Sequence, residues 1–194
     1  MGGLASVLAS HNAHKARELE VLLPGWTIGI LDADNYPPED GETYYDNALI
    51  KAAFGRSRAA DDAWVIGEDS GLEVAALGGR PGIQSARYAP EGAPAIAKLL
   101  GELGDETDRS ARFVSELVAI SPLRTILRGS GVLEGHIANA SSGVEGFGYD
   151  PVFVPQGEQR TVAELGDAWK AQHSHRARAA RALREAFDSV GVDA

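Results

Sequence analysis

The chain has 194 residues, of which 44% are hydrophobic, so it is long enough to bury a core in one or two compact lobes. It contains no cysteine, which excludes disulfides and thiolate metal sites and leaves oxygen or imidazole ligands for any metal. A net charge of −10 argues against a broad nucleic-acid surface, and no stretch approaches the ~20 apolar residues of a membrane span. The opening residues lack the basic flank and long apolar run of a secretion signal, so we expect a cytoplasmic protein.

The first third of the chain alternates between strand and helix patterns. Residues 6–10 predict a short strand, and residues 13–23 predict a helix that stops at the following Pro-Gly pair. A second helix is predicted for residues 44–60, started by Thr43. Residues 63–66 then predict a buried strand that ends at Gly67.

The rest of the chain adds a longer hairpin pattern and a terminal helix. Residues 112–120 and 125–137 predict an antiparallel hairpin, and residues 152–154 predict another short strand. A strong helical segment follows Ser174, which is a candidate N-cap. We find no internal repeat, so the whole chain, 1–194, is predicted to form one mixed α/β domain with two lobes around a central cleft.

The first segment with candidate chemistry lies in the turn between the first predicted strand and helix. Such a turn presents backbone N–H groups at the positive end of a helix dipole, which suits phosphate oxygens, and a lysine adds positive charge. Because the segment lacks a glycine-rich cradle, by itself it is more typical of an ordinary loop. Its residues are Ser10, His11, Asn12, Ala13, His14 and Lys15.

The second segment is an acidic stretch that runs into the second predicted helix. Glu39 and Glu42 precede this helix, and Asn47 and Lys51 lie four residues apart on it. Carboxylates here are also typical of groups that complement a helix dipole, and Asn47 with Lys51 is also typical of a solvated face. An acidic cluster is equally what Mg²⁺ requires, with Glu39 or Glu42 as the ligand.

The third segment is an adjacent pair of carboxylates, Glu68 and Asp69, at the predicted end of a buried strand. Ser70 and Gly71 follow them and predict a tight turn that holds the pair at the edge of a cleft, where it can bind a metal and deprotonate water. The alternative is that Asp-Ser-Gly only forms a turn. The glycine- and proline-rich loop 78–88 follows, and its rigidity indicates that it holds side chains in fixed positions.

Two further segments carry aromatic and basic side chains. The segment 146–153 places Phe147 or Tyr149 where it can stack on a base, although Tyr149 is more typical of a core aromatic. A helix start near Ser174 brings basic side chains together where a nucleotide's polar edge or phosphates can bind. The candidate residues of these two segments are Phe147, Gly148, Tyr149, Asp150, Lys170, His175 and Arg176.

In chain order, these segments resemble the inosine-triphosphate pyrophosphatase family, also called Ham1-like or dITP/XTP pyrophosphatases. The resemblance spans nearly the whole chain, and several ordered blocks are far more specific than any one. The family pattern T-x-N-x-x-K is similar to Ser10, Asn12 and Lys15. The patterns E-x-G-x-T-F-x-E-N-A-x-x-K-A, D-D-S-G-L-x-V-x-x-L-G-G-x-P-G-x-x-S-A-R-Y, G-G-F-G-Y-D-P-x-F and K-x-x-x-S-H-R are similar to residues 39–52, 68–88, 145–153 and 170–176.

This resemblance implies an Mg²⁺-dependent enzyme that splits ITP, dITP and XTP into monophosphate and pyrophosphate, which keeps these nucleotides out of DNA and RNA. It implies that residues 10–15 hold the triphosphate, that Asp69 binds metal and accepts a proton, and that Ser70 contacts substrate. A base and sugar pocket is implied for residues 147–150 together with Lys170, His175 and Arg176. It also implies a homodimer with an elongated mixed β-sheet, flanking helices and a nucleotide-binding cleft between two lobes.

The sequence departs from the family pattern at a few positions. Ser10 and His11 replace the commoner Thr and Gly of the phosphate segment. Glu68 replaces the usual first Asp of its block, and Glu145 stands where a Gly is common. Because Glu68 keeps the charge, we expect a change in metal geometry and no loss of activity.

The expected mechanism is in-line attack by water on the α-phosphorus. Asp69 and Glu68, together with Glu39, position Mg²⁺ and accept the proton, while Lys15 neutralises the leaving group. Donors aimed at a 6-oxo group select deaminated bases over adenine. Two other hypotheses stay open: a related pyrophosphatase that prefers pyrimidine or modified bases, and a nucleotide-binding regulatory module without turnover.

Overall fold

The computed structural model describes residues 3–191 and contains, within that range, a mixed six-stranded sheet. The spatial order of the strands is β2-β1-β3-β4-β5-β6. Strand β1 is parallel to both β2 and β3, whereas β5 and β6 are antiparallel, which confirms the predicted mixed α/β sheet. The strands are β1 (Leu4–Leu8), β2 (Trp26–Ile30), β3 (Trp64–Val74), β4 (Ser110–Ile120), β5 (Ile126–Ile137) and β6 (Phe153–Pro155).

Helices flank this sheet, and three of them were predicted from the sequence. The second begins as expected at Thr43, whose hydroxyl accepts a hydrogen bond from Asp46 N while Asp46 accepts one from Thr43 N, a capping box. That helix ends at Arg56, earlier than the predicted residue 60. The helices are α1 (Ala13–Leu22), α2 (Tyr44–Arg56), α3 (Ala93–Leu103), α4 (Val162–Leu165), α5 (Asp167–His173) and α6 (His175–Ser189).

Strand β2 was not predicted. It lies at the edge of the sheet, pairs only with β1 within the described residues, and is exposed along much of its length. An edge strand of this kind carries little of the apolar alternation from which strands are recognised. Its conformation is therefore set by the hydrogen bonds to β1.

The prediction that the third strand ends at Gly67 is wrong, and so is the predicted tight turn at Ser70 and Gly71. Strand β3 continues without a break to Val74. A β-carbon at Gly67 would lie 2.0 Å from the carbonyl oxygen of Ala48 and 2.6 Å from the amide nitrogen of Ala52, both in the backbone of α2. The glycine therefore marks the place where a helix lies directly on the strand.

We expect Gly67→Ala to lower the free energy of unfolding by about 3 kcal/mol, because the added methyl group meets helix backbone that has no rotamer by which to move away. Urea denaturation measures this change. Gly101→Ala in α3 is the matched control, since a β-carbon there has nothing within 4 Å, and it should stabilise the helix by ~1 kcal/mol. Equal stability of Gly67→Ala and wild type would contradict this packing.

The chain divides into two compact units. Within the described residues, unit 1 comprises 3–69, 115–131 and 176–191, and unit 2 comprises 70–114 and 132–175. Unit 1 has a main core that includes Leu8, Leu19, Ile66, Leu117 and Leu183. Unit 2 has its own core, which includes Leu72, Leu99, Phe113, Ile137 and Phe153. The predicted cleft between two lobes stays a prediction. Over residues 3–191, no helix combines the length and apolarity that crossing a membrane requires.

Candidate active site

The two adjacent carboxylates of β3 are both buried, but the strand separates them. Successive side chains of a β-strand point to opposite faces, so Glu68 and Asp69 meet different elements. Asp69 contacts side chains of α2, and Glu68 contacts side chains of α1 and α6. The predicted strand end at this pair is therefore wrong, and the two carboxylates have different neighbours.

Asp69 lies in a largely buried group with Asn47, Lys51 and the partly exposed Glu39, here called the Asp69 group. Asn47 Nδ2 donates to Asp69 Oδ2 over 3.2 Å, and Lys51 Nζ lies 2.9 Å from Asp69 Oδ1. The same ammonium lies 2.5 Å from Glu39 Oε1 and donates to the Glu68 carbonyl oxygen over 2.9 Å. Lys51 thus joins two carboxylates and the strand backbone at one point.

Asn47 connects the segment before α2 to this group. Its Oδ1 accepts a hydrogen bond from Gly41 N over 2.9 Å while its Nδ2 reaches Asp69. A β-carbon at Gly41 would lie 2.6 Å from Asp46 Cβ, so the segment needs glycine to come this close to α2. Asn47 and Lys51, one helical turn apart, therefore face the site, and their interpretation as a solvated face is wrong because both are buried.

The electrostatic environments of the two carboxyls are opposite. Burial raises the pKa of Asp69 above its ordinary value, although Lys51 partly opposes that shift. Burial alone would also raise the pKa of Glu68, but the charges of Lys15 and Arg176 hold that pKa well below its usual range. A pair of carboxyls whose pKa values are pushed apart is typical of one group that exchanges a proton and one that stays charged.

Glu68 lies in a second group of unit 1, the Glu68 group, with Lys15, Glu18, Ser115 and Arg176. Its Oε1 accepts hydrogen bonds from Arg176 Nε at 3.2 Å, Arg176 Nη2 at 3.0 Å and Ser115 Oγ at 3.2 Å. Its Oε2 lies 2.5 Å from Lys15 Nζ. Arg176 Nη1 also donates to Glu18 Oε2. The arginine that was assigned to the base pocket is thus placed in unit 1 between two carboxylates.

The segment 10–15, which spans the start of α1 and is predicted to hold phosphate, is organised by Asn12. Asn12 Oδ1 accepts hydrogen bonds from His14 N and Lys15 N, and Ser10 Oγ accepts one from Asn12 N. These backbone N–H groups therefore form hydrogen bonds within the segment. They are not presented to a phosphate, in contrast to what the strand-to-helix turn in the sequence had indicated. Because Oδ1 is taken up by the start of the helix, Nδ2 is the donor that the Asn12 side chain can offer to a ligand.

His11 has a contact that the sequence did not predict. Its ring packs edge-on against Tyr36, with ring centroids 4.3 Å apart, and Tyr36 in turn contacts Phe54 at 4.9 Å. His11, which stands where glycine is commoner, therefore packs the segment 10–15 against the aromatic side chains of Tyr36 and Phe54 in unit 1.

In unit 2, Asp150 is the centre of a third group with Phe147 and Lys170, the Asp150 group. Asp150 Oδ2 accepts hydrogen bonds from Phe147 N at 2.8 Å and from Lys170 Nζ at 2.6 Å. The same ammonium lies 4.1 Å from the centroid of the Phe147 ring. The buried lysine and aspartate thus fix the turn that carries Phe147, and Gly148, with φ +62°, completes this turn.

Tyr149 and His175 are buried against other parts of unit 2. Tyr149 belongs to the core, and its hydroxyl lies 3.4 Å from the Ser85 carbonyl oxygen, which agrees with the core-aromatic alternative for this residue. The His175 ring stacks on Phe113 with centroids 4.7 Å apart and an interplanar angle of 14°. Ser70, the predicted substrate contact, is a partly buried residue inside β3.

With this geometry established, comparison with known proteins identifies the relatives of the chain. Residues 6–186 match the model of the Ham1 family. The chain belongs to the Ham1 family. The match covers the Asp69, Glu68 and Asp150 groups alike, so all three lie within the part of the chain that defines family membership.

Individual Ham1 relatives align with this chain over nearly their full length. The dITP/XTP pyrophosphatase of Gloeobacter violaceus is 40% identical over 179 residues, which covers 91% of each chain. A dITP/XTP pyrophosphatase of Thermus thermophilus is 42% identical, covering 95% of this chain and 92% of the relative. The solved structure of the Staphylococcus aureus Ham1 protein superposes with a TM-score of 0.82 at 36% identity and covers 96% of this chain and 99% of that one.

For this Ham1 chain, the structure also explains the departure at Glu145. Glu145 Oε2 accepts a hydrogen bond from Asp167 N over 2.8 Å at the start of α5, a contact that glycine could not make. No group of three or more His, Cys, Asp or Glu residues is arranged to enclose a metal ion in the range 3–191. Two carboxylates, Glu39 and Asp69, converge on the Lys51 ammonium.

Proposed function

We propose that this chain is a nucleoside-triphosphate pyrophosphatase that hydrolyses ITP, dITP and XTP to the monophosphate and pyrophosphate, which keeps these nucleotides out of DNA and RNA. The observation that carries the proposal is Asp69, a buried carboxylate with a raised pKa, held between an amide and an ammonium in a chain of the Ham1 family. Support for the substrate class comes from the relatives named dITP/XTP pyrophosphatase, which this chain matches over more than nine-tenths of its length.

Asp69 is assigned the role of general base. Asn47 and Lys51 fix its two oxygens, and its raised pKa favours uptake of a proton from an attacking water. The water attacks the α-phosphorus in line with the bond to the leaving pyrophosphate. Lys15, whose side chain is 14% exposed, and Nδ2 of Asn12 donate to phosphate oxygens and offset the charge that develops on the leaving group.

Glu39 and Asp69 are the residues proposed to hold Mg²⁺. The fit rests on the donor set, since two carboxylates already converge on one positive centre, the Lys51 ammonium, and hard oxygen donors suit Mg²⁺. Glu39 is 29% exposed on its side chain, which leaves it room to turn toward an added cation. Glu68 is not included, because its oxygens face Lys15, Ser115 and Arg176. Mg²⁺ bound there supplies neutralisation of phosphate charge.

The base-binding role is assigned to the Asp150 group and His175. Phe147 offers a ring face for stacking, and the Lys170 ammonium is a buried donor of the kind that pairs with a 6-oxo group and opposes a 6-amino group. The buried Lys170–Asp150 pair fixes this donor before a nucleotide arrives. Arg176 is not included, since its guanidinium donates to Glu18 and Glu68.

A pyrophosphate-release assay on a nucleotide panel tests the function. We expect turnover of ITP, dITP and XTP and strong discrimination against ATP. A preference for pyrimidine or modified nucleotides would replace the proposed substrate class, and binding without any turnover would replace the enzyme itself with a regulatory module.

The position of bond cleavage is tested with isotope. Hydrolysis of ITP in ¹⁸O-water should place the label in the monophosphate and leave the released pyrophosphate unlabelled, because the water oxygen becomes bonded to the α-phosphorus. The two products are separated and their masses are measured by mass spectrometry. Label in pyrophosphate would exclude attack at this phosphorus.

Removal of divalent metal should abolish turnover. Excess EDTA is expected to suppress pyrophosphate release, and added Mg²⁺ should restore it, because the proposed ligands are carboxylates and neither cysteine nor, among residues 3–191, a His cluster is available for a softer metal. Full activity in chelator would contradict metal dependence.

The remaining expectations concern assembly and location. We propose a cytoplasmic homodimer that takes small nucleotides and neither nucleic acid nor membrane as partners. The net charge of −10 supports the exclusion of nucleic acid. Size-exclusion chromatography with light scattering tests the dimer, and a monomer at micromolar concentration would contradict it.

A further inference from the structure

The Glu68 carboxylate is closed to solvent and surrounded by charged groups. The residue is 0% exposed, yet it carries one guanidinium and one hydroxyl on Oε1 and one ammonium on Oε2. Its carbonyl oxygen accepts from Lys51 Nζ. Every oxygen of this residue therefore faces a donor of the protein.

Such an arrangement is costly to build. Removing a carboxylate from water is unfavourable, and well-packed apolar residues stabilise a core at least as well as a buried ion pair does. A buried strand position of this kind would gain little stability from a charge. A charge at residue 68 is therefore better explained by what it does to its partners than by what it adds to the core.

Its two cationic partners differ in accessibility. Arg176 is 2% exposed at its side chain and is held from the other side by Glu18, whereas the Lys15 side chain is 14% exposed. Of these two cations, Lys15 is thus the one that can touch both Glu68 and a ligand. Glu68 also faces Arg176, so its single negative charge is shared between two cations and does not fully cancel the charge of Lys15.

We propose that Glu68 is a positioning residue and not a metal ligand: it fixes the Lys15 ammonium in the place where it meets the phosphate groups of the substrate. The inference rests on the proposed function, since that function assigns Lys15 to phosphate. A lysine head group lies on a flexible four-carbon stem, and a buried partner that fixes it beforehand removes the cost of ordering it at binding. Arg176, which also donates to Glu18, holds Glu68 itself in place.

The test compares Glu68→Gln, Lys15→Met and the double variant. Inorganic triphosphate is titrated into each protein in EDTA by calorimetry, and Mn²⁺ is titrated into each metal-free protein by electron paramagnetic resonance. We expect Glu68→Gln to weaken triphosphate binding about 10- to 100-fold, the worth of a hydrogen bond to a charged group, and to leave the Kd for Mn²⁺ unchanged. The double variant should bind triphosphate no more weakly than Lys15→Met alone.

The control is Glu116→Gln, which removes another buried carboxylate, on β4, whose partners are Arg128 and Ser130. It should keep wild-type affinity for triphosphate. If Glu68→Gln does not fold, Glu68→Asp replaces it in the test, because it keeps the charge but draws the carboxylate back by one methylene. We expect Glu68→Asp to weaken triphosphate binding by a smaller factor and to leave the Kd for Mn²⁺ unchanged.

Two results from the variants would overturn the inference. A weakened Kd for Mn²⁺ in Glu68→Gln or Glu68→Asp would make Glu68 a metal ligand, and additive losses in the double variant would mean that it does not act through Lys15. A wild-type protein that binds triphosphate but releases no pyrophosphate from ITP would contradict the proposed function alone. A wild-type protein without affinity for triphosphate would contradict the role of Lys15 and this inference with it.

Discussion

Asp69→Asn is expected to lower kcat for ITP by about 10²- to 10⁴-fold, the usual worth of a positioned general base. The substitution keeps the size and shape of the side chain, so it can still contact Asn47 and Lys51, but an amide cannot accept the proton of an attacking water. The KM for ITP should change much less than kcat, since Lys15 and the Asp150 group are left intact. Steady-state kinetics at saturating Mg²⁺ measures both constants.

The matched control for this experiment is Glu116→Gln. It neutralises a buried carboxylate of β4 in the same unit, and the Arg128 it leaves behind is 54% exposed at its side chain and can turn to water. We therefore expect near wild-type kcat. An Asp69→Asn protein that keeps most of the wild-type rate would transfer the proton-accepting role to Glu39.

The second large effect is expected from Lys51→Met. This change removes the cation that joins Asp69, Glu39 and the Glu68 carbonyl, so two carboxylates are left facing one another in a largely buried site. Breaking a buried pair in this way costs about 3–5 kcal/mol of folding stability. We also expect kcat/KM to fall at least ~10²-fold, because a preorganised charge is lost from the site. Urea denaturation and initial rates measure the two effects.

The pH dependence of kcat/KM in Lys51→Met should shift in a defined direction. Burial raises the pKa of Asp69 while the positive charge of Lys51 lowers it, so loss of Lys51 raises the pKa further. A base with a higher pKa is protonated over a wider range, and the acidic limb of kcat/KM should move to higher pH. Lys98→Met in α3, which removes a half-exposed lysine paired with Glu102, is the control and should leave rate and profile unchanged. A shift of the acidic limb to lower pH would contradict the pairing of Lys51 with Asp69.

The local signals of the sequence were sufficient for much of the framework. The capping pattern at Thr43 and the helical period after it fix α2, and the Pro-Gly pair after α1 fixes its end, because these are interactions between residues close in the chain. The ordered motif blocks were sufficient for family membership, which the match over residues 6–186 confirms. None of these inferences needed a long-range contact.

The tertiary structure decided what each charged residue does. Nothing local in the sequence distinguishes Glu68 from Asp69, but the alternation of β3 turns one toward Lys15 and the other toward Lys51. Gly67 indicates a strand end until the backbone of α2 is found against it. Arg176 follows His175 directly, yet one reaches a carboxylate of unit 1 and the other an aromatic ring of unit 2.

The sequence by itself determined which residues carry charge and where helices begin, because helix starts depend on near neighbours in the chain. The partners of those charges are set by residues far apart along the chain. Glu68 and Arg176, for example, are separated by 108 positions, and only the folded chain brings them together.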